Sequence, residues 1–312
     1  MELIRGLANL EHRHRGCVAT IGNYDGVHLG HQQVLKGLIA EARKRSLPAV
    51  AVIFEPTPQE YFAPAAPPAR LMNFRERYQA LVECSVDRLL CLHFNAALAN
   101  MLAETFIEQV LISGLGVRYL VVGDDFRFGH ERAGDFTMLA AAGAAYGFEV
   151  AKTPGLMLAG ERISSTRIRE CLAAGQMERA AQLLGLPFSL SGRVMPGEKL
   201  GRSLGFPTVN IPLKRRVSPV QGIFVAAVHG IGSSCHYGAA YVGRRPAVNG
   251  QQLLLEVFIF NFSGELYGQR LQVELLHQLR GEMAFGSLEA LKAQMARDVA
   301  AARAWLKQQA MA

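Results

Sequence analysis

The stretch at residues 20–31, TIGNYDGVHLGH, constrains this chain more than any other. An apolar run, Cys17-Val18-Ala19, precedes it and reads as a buried strand. Val34, Leu35, Leu38, Ile39 and Ala42 follow it at helical spacing. Between strand and helix lie Gly22, Gly26 and Gly30, with His28 and His31 three residues apart. A strand, a glycine-rich turn and a helix start make an anion site. Glycine lets backbone approach a ligand closely, and the free N–H groups and dipole of a helix N-terminus favour negative charge. Two histidines on one turn can hydrogen-bond a polyphosphate and stabilise charge building up on it.

Strands and helices alternate through the first half. AVAVIF at residues 49–54 is a continuous apolar run, residues 88–92 are a further strand candidate, and residues 119–122 end at a glycine and two acids. Residues 103–115 carry Phe106, Ile107, Val110 and Leu111 on one helical face, and residues 135–146 are alanine-rich and helical. This alternation predicts a parallel sheet with crossover helices and ligands beyond the carboxyl ends of its strands. FEPTPQEYF at residues 54–62 ends one strand, where Pro56 and Pro58 fix an extended turn. GDDFRFG at residues 123–129 offers acceptors for nucleotide hydroxyls or a hydrated metal ion, and equally fits a solvated turn. ERISSTRIRE at residues 161–170 places Ser164, Ser165 and Thr166 to cap a helix, and with Arg162 the same groups form an anion cradle.

Leu184-Gly185-Leu186-Pro187 stops the last helical pattern, which sets the expected domains at 1–186 and 187–312. Short strand-like runs at 188–194, 222–228, 236–242, 253–262 and 270–276 then predict a small antiparallel β-barrel. A closing helix carries Leu288, Leu291, Met295, Val299, Ala302 and Leu306, with Ser287 as its N-cap. In GRSLGFPTVN at residues 201–210, Gly201 and Gly205 allow a turn over a ligand and Arg202 adds charge. Thr208 and Asn210 put two oxygens on one side of an extended chain. That pair suits hydrated magnesium bridging nucleotide phosphates, or a plain structural turn. Glu256 is the single acid within LLLEVFIFNF. A carboxylate there faces solvent, is paired, or is catalytic.

The length of 312 residues fits about two domains. With 50% hydrophobic and 19% charged residues the chain can fill a core, which excludes disorder. No apolar run approaches the roughly 20 residues of a membrane span, and no apolar signal core stands near the N-terminus. Five widely spaced cysteines without a CxxC pair predict reduced thiols, no structural zinc and a cytoplasmic protein. The net charge of +7 lies wholly beyond Pro187, where 14 Lys and Arg face 7 Asp and Glu. Nucleic-acid binding, attraction for ATP and a phosphorylated product, and a solvated basic surface all fit that excess.

The strand–HxGH–helix arrangement resembles the HIGH-type nucleotidyltransferases. The whole of TIGNYDGVHLGH resembles their flavin branch, the bacterial bifunctional riboflavin kinase/FMN adenylyltransferases, or FAD synthetases. FEPTPQEYF, GDDFRFG with Gly134-Asp135, ISSTRIR, GRSLGFPTVN, the Glu256 strand and LRGEMAF are similar to that family's motifs in its order. The resemblance implies a Rossmann-like α/β domain followed by an antiparallel barrel closed by a helix. It implies two ATP-dependent steps: riboflavin to FMN, then FMN to FAD with release of pyrophosphate. By resemblance, His28 and His31 act on the ATP phosphates with Gly22, Asp25, Gly30, Asp125, Arg162, Ser165, Thr166 and Arg169 around the nucleotide. Phe54, Pro56, Pro58 and Phe62 lie toward the flavin of that site. In the kinase, Gly201, Arg202 and Gly205 hold nucleotide, Thr208 and Asn210 hold Mg²⁺, Glu256 is the general base, and Arg280 and Phe285 lie near flavin. The family's alanine, threonine, histidine and aspartate are replaced at Val209, Ala247, Phe258 and Asn261. Val209 is expected to crowd without removing chemistry.

Two rival readings fit parts of this pattern. An adenylyltransferase for another phosphate ester with an accessory barrel leaves GRxLGFPTxN and Glu256 without purpose. A basic nucleic-acid module lacks support, since no aromatic residues interleave the compact basic triplet Lys214-Arg215-Arg216. The expected partners are therefore riboflavin, FMN, FAD and ATP, with neither nucleic acid nor membrane. The sequence leaves the oligomeric state open.

Overall fold

The computed structural model describes residues 1–197, 201, 204–247 and 250–311. They form two compact units, one of Met1–Pro68 with Phe74–Ser164, the other of Ala69–Asn73 with Ser165–Ala312.

The first unit is built on six strands: β1 (Glu2–Arg5), β2 (Cys17–Ile21), β3 (Ala49–Glu55), β4 (Arg88–His93), β5 (Val117–Gly123) and β6 (Glu149–Thr153). All pairings are parallel, in the order β1-β4-β3-β2-β5-β6. The apolar runs are continuous because the strands are covered on both faces: every residue of β2 is buried. Helices Leu29–Lys44, Phe74–Glu83 and Phe136–Tyr146 lie among the connections. The strand order reverses between β2 and β5, so the loops leaving those two strands open onto one switch point. TIGNYDGVHLGH leaves β2 and GDDFRFG leaves β5. A short hairpin, β7 (Met157–Leu158) with β8 (Glu161–Arg162), follows β6.

The second unit holds β9 (Ser189–Arg193), β10 (Val209–Pro212), β11 (Gly222–Ile231), β12 (Ser234–Ala247), β13 (Gly250–Ile259) and β14 (Arg270–Arg280). They pair antiparallel in the order β10-β13-β12-β11-β14-β9. A bridge between Met195 and Asn210 brings the two edges together, giving a nearly closed barrel. Close packing at that seam requires Gly192, where a Cβ would fall 2.3 Å from Ile211 Cγ2. Helix Leu288–Gln309 is capped by Ser287, whose Oγ accepts from Ala290 N at 3.1 Å. Its Val299, Ala302, Trp305 and Leu306 pack around Val225 and Phe260.

The compact units divide at Ser164/Ser165, ahead of the helix stop at 184–187. Helices Ser165–Ala173 and Met177–Leu184 pack on each other, and the second of them packs on β14. The segment Ala69–Asn73 joins this unit through backbone carbonyls: Arg169 Nε donates to Ala69 O at 2.6 Å, and Arg215 Nη1 to Arg70 O and Leu71 O at 2.9 Å. Such long-range backbone capture leaves no periodic trace in sequence.

Candidate active sites

The loop after β2 is shaped by residues of unusual backbone. Tyr24, Gly26 and Val27 have φ of 49°, 91° and 38°. Tyr24 is buried and shares a 2.7 Å hydrogen bond with Thr20 of β2, which holds the turn against its strand. His28 is the N-cap of helix Leu29–Lys44, and its Nδ1 accepts from His31 N at 3.2 Å. The two imidazoles stack with centroids 3.6 Å apart, and Tyr24 leans on His31 at 5.0 Å. Gly30 lies beside them; a Cβ there would approach the His28 ring to 3.2 Å. His31 Nδ1 is buried with no hydrogen-bond partner among the described residues. Burial, reinforced by His28, holds the His31 pKa well below the ordinary histidine value. The loop therefore presents neutral imidazole and helix N–H groups, a setting for an anion. Asp25 is buried in the same loop.

GDDFRFG and the β7–β8 hairpin meet through charge. Arg162 Nη2 lies 2.6 Å from Asp124 Oδ1 and 3.2 Å from Asp125 Oδ2, while Gly155 N donates to Asp124 Oδ2 at 3.1 Å. Phe126 and Phe128 stack at 5.6 Å, and Gly134 fits under Phe128, where a Cβ would come within 2.7 Å of its ring. Asp135 caps the following helix. The end of β3 forms an aromatic patch: Phe54, Tyr61 and the 67%-exposed Phe62 surround Phe94 at 5.3–5.8 Å. Pro56 and Pro58 flank Thr57, which caps the short helix Pro58–Phe62 by a reciprocal pair with Glu60. Ser165 and Thr166 open helix Ser165–Ala173 in the second unit, which also carries Arg169.

In the barrel, Asn210, Glu256 and Tyr241 stand directly opposite one another on β10, β13 and β12, so their side chains share a face. Glu256 lines a cavity of about 520 Å³ with Phe206, Thr208, Tyr241, Phe258, Arg280 and Phe285 among its walls. Thr208 also lines a neighbouring cavity of about 370 Å³, walled by Val209, Val257, Ile259, Phe262 and Leu266 among others. The glycine-rich segment presses on the oxygen donors: a Cβ on Gly197 would fall 2.5 Å from Asn210 Nδ2, and one on Gly201 2.5 Å from Phe206 O and 3.2 Å from Thr208 Oγ1. That is a cradle only glycine fits, over two neutral oxygens suited to a hard, hydrated cation. Gly205 has φ 88°, a glycine conformation. Arg202 lies outside the described residues. Arg280 is gripped by the buried Asp298 through Nε at 3.0 Å and Nη2 at 2.8 Å, and its guanidinium lies 5.8 Å from the Phe285 ring.

The departures from the family pattern have visible surroundings. Phe258 meets Phe206 and Phe260 edge to face at 5.5 and 5.7 Å, an aromatic wall in place of a polar residue. Asn261 has φ 54°, which asparagine tolerates, and accepts from Arg303 at 3.3 Å. Val209 narrows the smaller cavity. The side chain of Ala247 lies outside the described residues.

Several site neighbours escaped sequence reading. Glu282 joins the barrel cavity, accepting from Tyr241 Oη at 2.6 Å and Gln221 Nε2 at 2.5 Å. Arg77, 2% exposed, donates to Asn23 O at 2.8 Å and Glu55 Oε2 at 2.6 Å. Its signal was a cation at helical spacing with Phe74 and Leu81. All five cysteines are free, and burial pushes the Cys17 thiol up to about 12. The described residues contain no helix long and apolar enough to cross a membrane and no group of three His, Cys, Asp or Glu able to hold a metal.

A doubly wound α/β unit with HxGH at its switch point, followed by a barrel with a carboxylate-lined cavity, defines a nucleotide-dependent transferase with two separate sites. Comparison with known proteins narrows the class. The profile of the FAD synthetase family matches residues 10–167, and that of riboflavin kinase matches residues 184–306. The bifunctional riboflavin kinase/FMN adenylyltransferase of Escherichia coli K12 is 48% identical over 97% of each chain, and that of Haemophilus influenzae is 45% identical over 98% of this chain and 99% of its own. A macrolide-efflux protein from Streptococcus pneumoniae of known structure superposes with a TM-score of 0.80 at 29% identity, covering 97% of this chain and 99% of that one. The chain belongs to the bifunctional riboflavin kinase/FMN adenylyltransferase family.

Proposed function

We propose that residues 187–312 phosphorylate riboflavin to FMN and residues 1–186 transfer AMP from ATP to FMN, giving FAD and pyrophosphate. Thr208 is the observation that carries the kinase assignment, because it stands on the wall of both barrel cavities. The larger, with its aromatic walls and Glu256, takes the flavin; the smaller, apolar one takes the nucleotide. The transferred phosphoryl group then lies near Thr208. Glu256 accepts the proton of the ribityl 5′-hydroxyl as its oxygen bonds to the γ-phosphorus and ADP departs. Thr208 and Asn210 would hold Mg²⁺, which when bound shields the phosphate charge. Gly201, Arg202 and Gly205 are assigned to the nucleotide. Arg280 and Phe285 border the flavin.

In the α/β unit the nucleophile is the FMN phosphate, which needs no strong base. His28 and His31 donate to the phosphates as pyrophosphate leaves, with Gly22, Asp25 and Gly30 shaping the loop. We assign Asp125, Arg162, Ser165, Thr166 and Arg169 to the nucleotide, and Phe54, Pro56, Pro58 and Phe62 to the flavin ring. We assign the protein to the cytoplasm, a compartment that keeps thiols reduced, because all five cysteines are free. The deciding experiment is to incubate the protein with riboflavin, ATP and Mg²⁺ and resolve the flavins by chromatography. FMN and then FAD are expected; riboflavin left unchanged would refute the assignment. Adding a chelator should stop phosphorylation, and continued turnover would remove Mg²⁺ from the scheme.

A further inference from the structure

Arg77 carries a permanent charge at a site only 2% exposed. A buried guanidinium is costly unless its N–H groups are matched by acceptors. Its two terminal nitrogens go to different segments. Nη1 donates to Asn23 O, inside the loop that carries His28 and His31, and Nη2 donates to the Glu55 carboxylate, where β3 turns into the FEPTPQEYF segment. The main chain of Glu55 is held independently, since its carbonyl accepts from Phe94 N at 3.3 Å and lies 3.1 Å from His93 Nδ1. The side-chain pair therefore adds a tie between two loops that the sheet alone does not join beyond the strand ends.

We propose that Arg77 is a positioning residue for adenylyl transfer, fixing the phosphate-side loop against the flavin-side turn. The inference rests on the assignment of those two loops to ATP and FMN. During transfer an oxygen of the FMN phosphate bonds to the α-phosphorus as the bond to the departing pyrophosphate breaks. Arg77 touches neither group and exchanges no proton. It sets the distance and angle of approach, to which in-line displacement is sensitive: a misplacement of about 1 Å can cost roughly 100-fold. A fork is required because one planar group must satisfy a carbonyl and a carboxylate together.

The test compares wild type, Arg77→Met and Arg77→Lys as full chains, assaying FAD formation from FMN and FMN formation from riboflavin on each preparation. For Arg77→Met we expect kcat for FAD formation to fall about 100-fold, with KM for FMN and ATP within about threefold and riboflavin phosphorylation unchanged. Lysine keeps the charge beside Glu55 but cannot serve the Asn23 carbonyl and the carboxylate together, so Arg77→Lys should recover only part of the loss. The deficit should persist well below the thermal unfolding transition, where a merely structural defect would vanish. A loss that disappears in the cold, a raised KM at constant kcat, or full activity of Arg77→Met would overturn the proposal. Absence of FAD formation by wild type would instead refute the underlying assignment.

Discussion

Replacing Glu256 by glutamine isolates one proton transfer from everything else in the barrel. The side chain sits between Asn210 and Tyr241 on adjoining strands and borders the larger cavity. Glutamine is nearly the same size and keeps a carbonyl acceptor, so the strand register and the cavity should survive. It cannot take the hydroxyl proton. General-base assistance is worth about 100- to 10,000-fold, and at about 1.36 kcal/mol per decade that is roughly 2.7–5.4 kcal/mol of transition-state stabilisation. Riboflavin phosphorylation should fall by that factor. The KM for riboflavin should stay within about threefold, because the aromatic walls at Phe206, Phe258 and Phe285 are untouched and a loss confined to the transition state leaves ground-state binding alone. FAD formation from supplied FMN should be unchanged. Assaying both reactions on one preparation supplies the control. Near-wild-type phosphorylation would refute the role of Glu256 as base, and an equal loss of both activities would point to damaged folding.

Three further outcomes are expected. His28→Ala with His31→Ala should abolish FAD formation, at about 100- to 1,000-fold for each lost donor, while FMN formation persists; loss of both products in a folded variant would contradict the division of labour. Gly201→Ala places a Cβ 2.5 Å from Phe206 O, a backbone atom that cannot step aside, so phosphorylation should fall at least about tenfold with FAD formation from FMN intact. His31 is held below its ordinary pKa by burial and by His28, so between pH 6.5 and its lowered folded value the unfolded chain binds more protons than the folded one. Stability therefore declines as the pH falls through that window. Melting temperatures measured down to pH 5 should drop less steeply for His31→Gln, and identical slopes would refute the buried neutral imidazole.

Most of the architecture was legible because the strands flanking the α/β site are buried on both faces and advertise themselves as apolar runs. The strands that escaped are edges. β1 reads ELIR and β6 reads EVAKT, each with its two charges on opposite faces, so neither shows a run or a clean alternation. The motifs placed Gly30, His28 and His31 on one turn, because contacts between i and i+3 follow from helix geometry. Contacts between distant segments had no such signature. The Arg162 pairing with Asp124, the Asp298 grip on Arg280 and the two-loop tie of Arg77 join residues separated by 38, 18 and 54 or 22 positions. The expected boundary at 186/187 followed a local helix stop, whereas compactness follows packing, which carries helices Ser165–Ala173 and Met177–Leu184 into the barrel unit.

The two assigned reactions differ chiefly in their nucleophiles, and the charged groups around each site differ accordingly. A ribityl hydroxyl must lose a proton as it attacks, so its site needs a carboxylate near the reacting oxygen. Glu256 borders the cavity assigned to the flavin. The FMN phosphate is already ionised and gains nothing from a base. At the switch point the acids Asp124 and Asp125 are instead engaged with Arg162, a pair whose side chains are about half exposed. Exposed pairs of this kind are worth about 0–1 kcal/mol, so under the proposed assignment an arriving triphosphate, which offers more charge and more acceptors, would take over the guanidinium at little cost. The negative charge of Asp124 and Asp125 would then be left at the end of β5 for nucleotide hydroxyls or a hydrated cation. On the proposed assignment Arg162 would exchange a carboxylate for a phosphate, while the His31 imidazole, held by burial below the ordinary histidine pKa, stays neutral on the adjoining strand's loop.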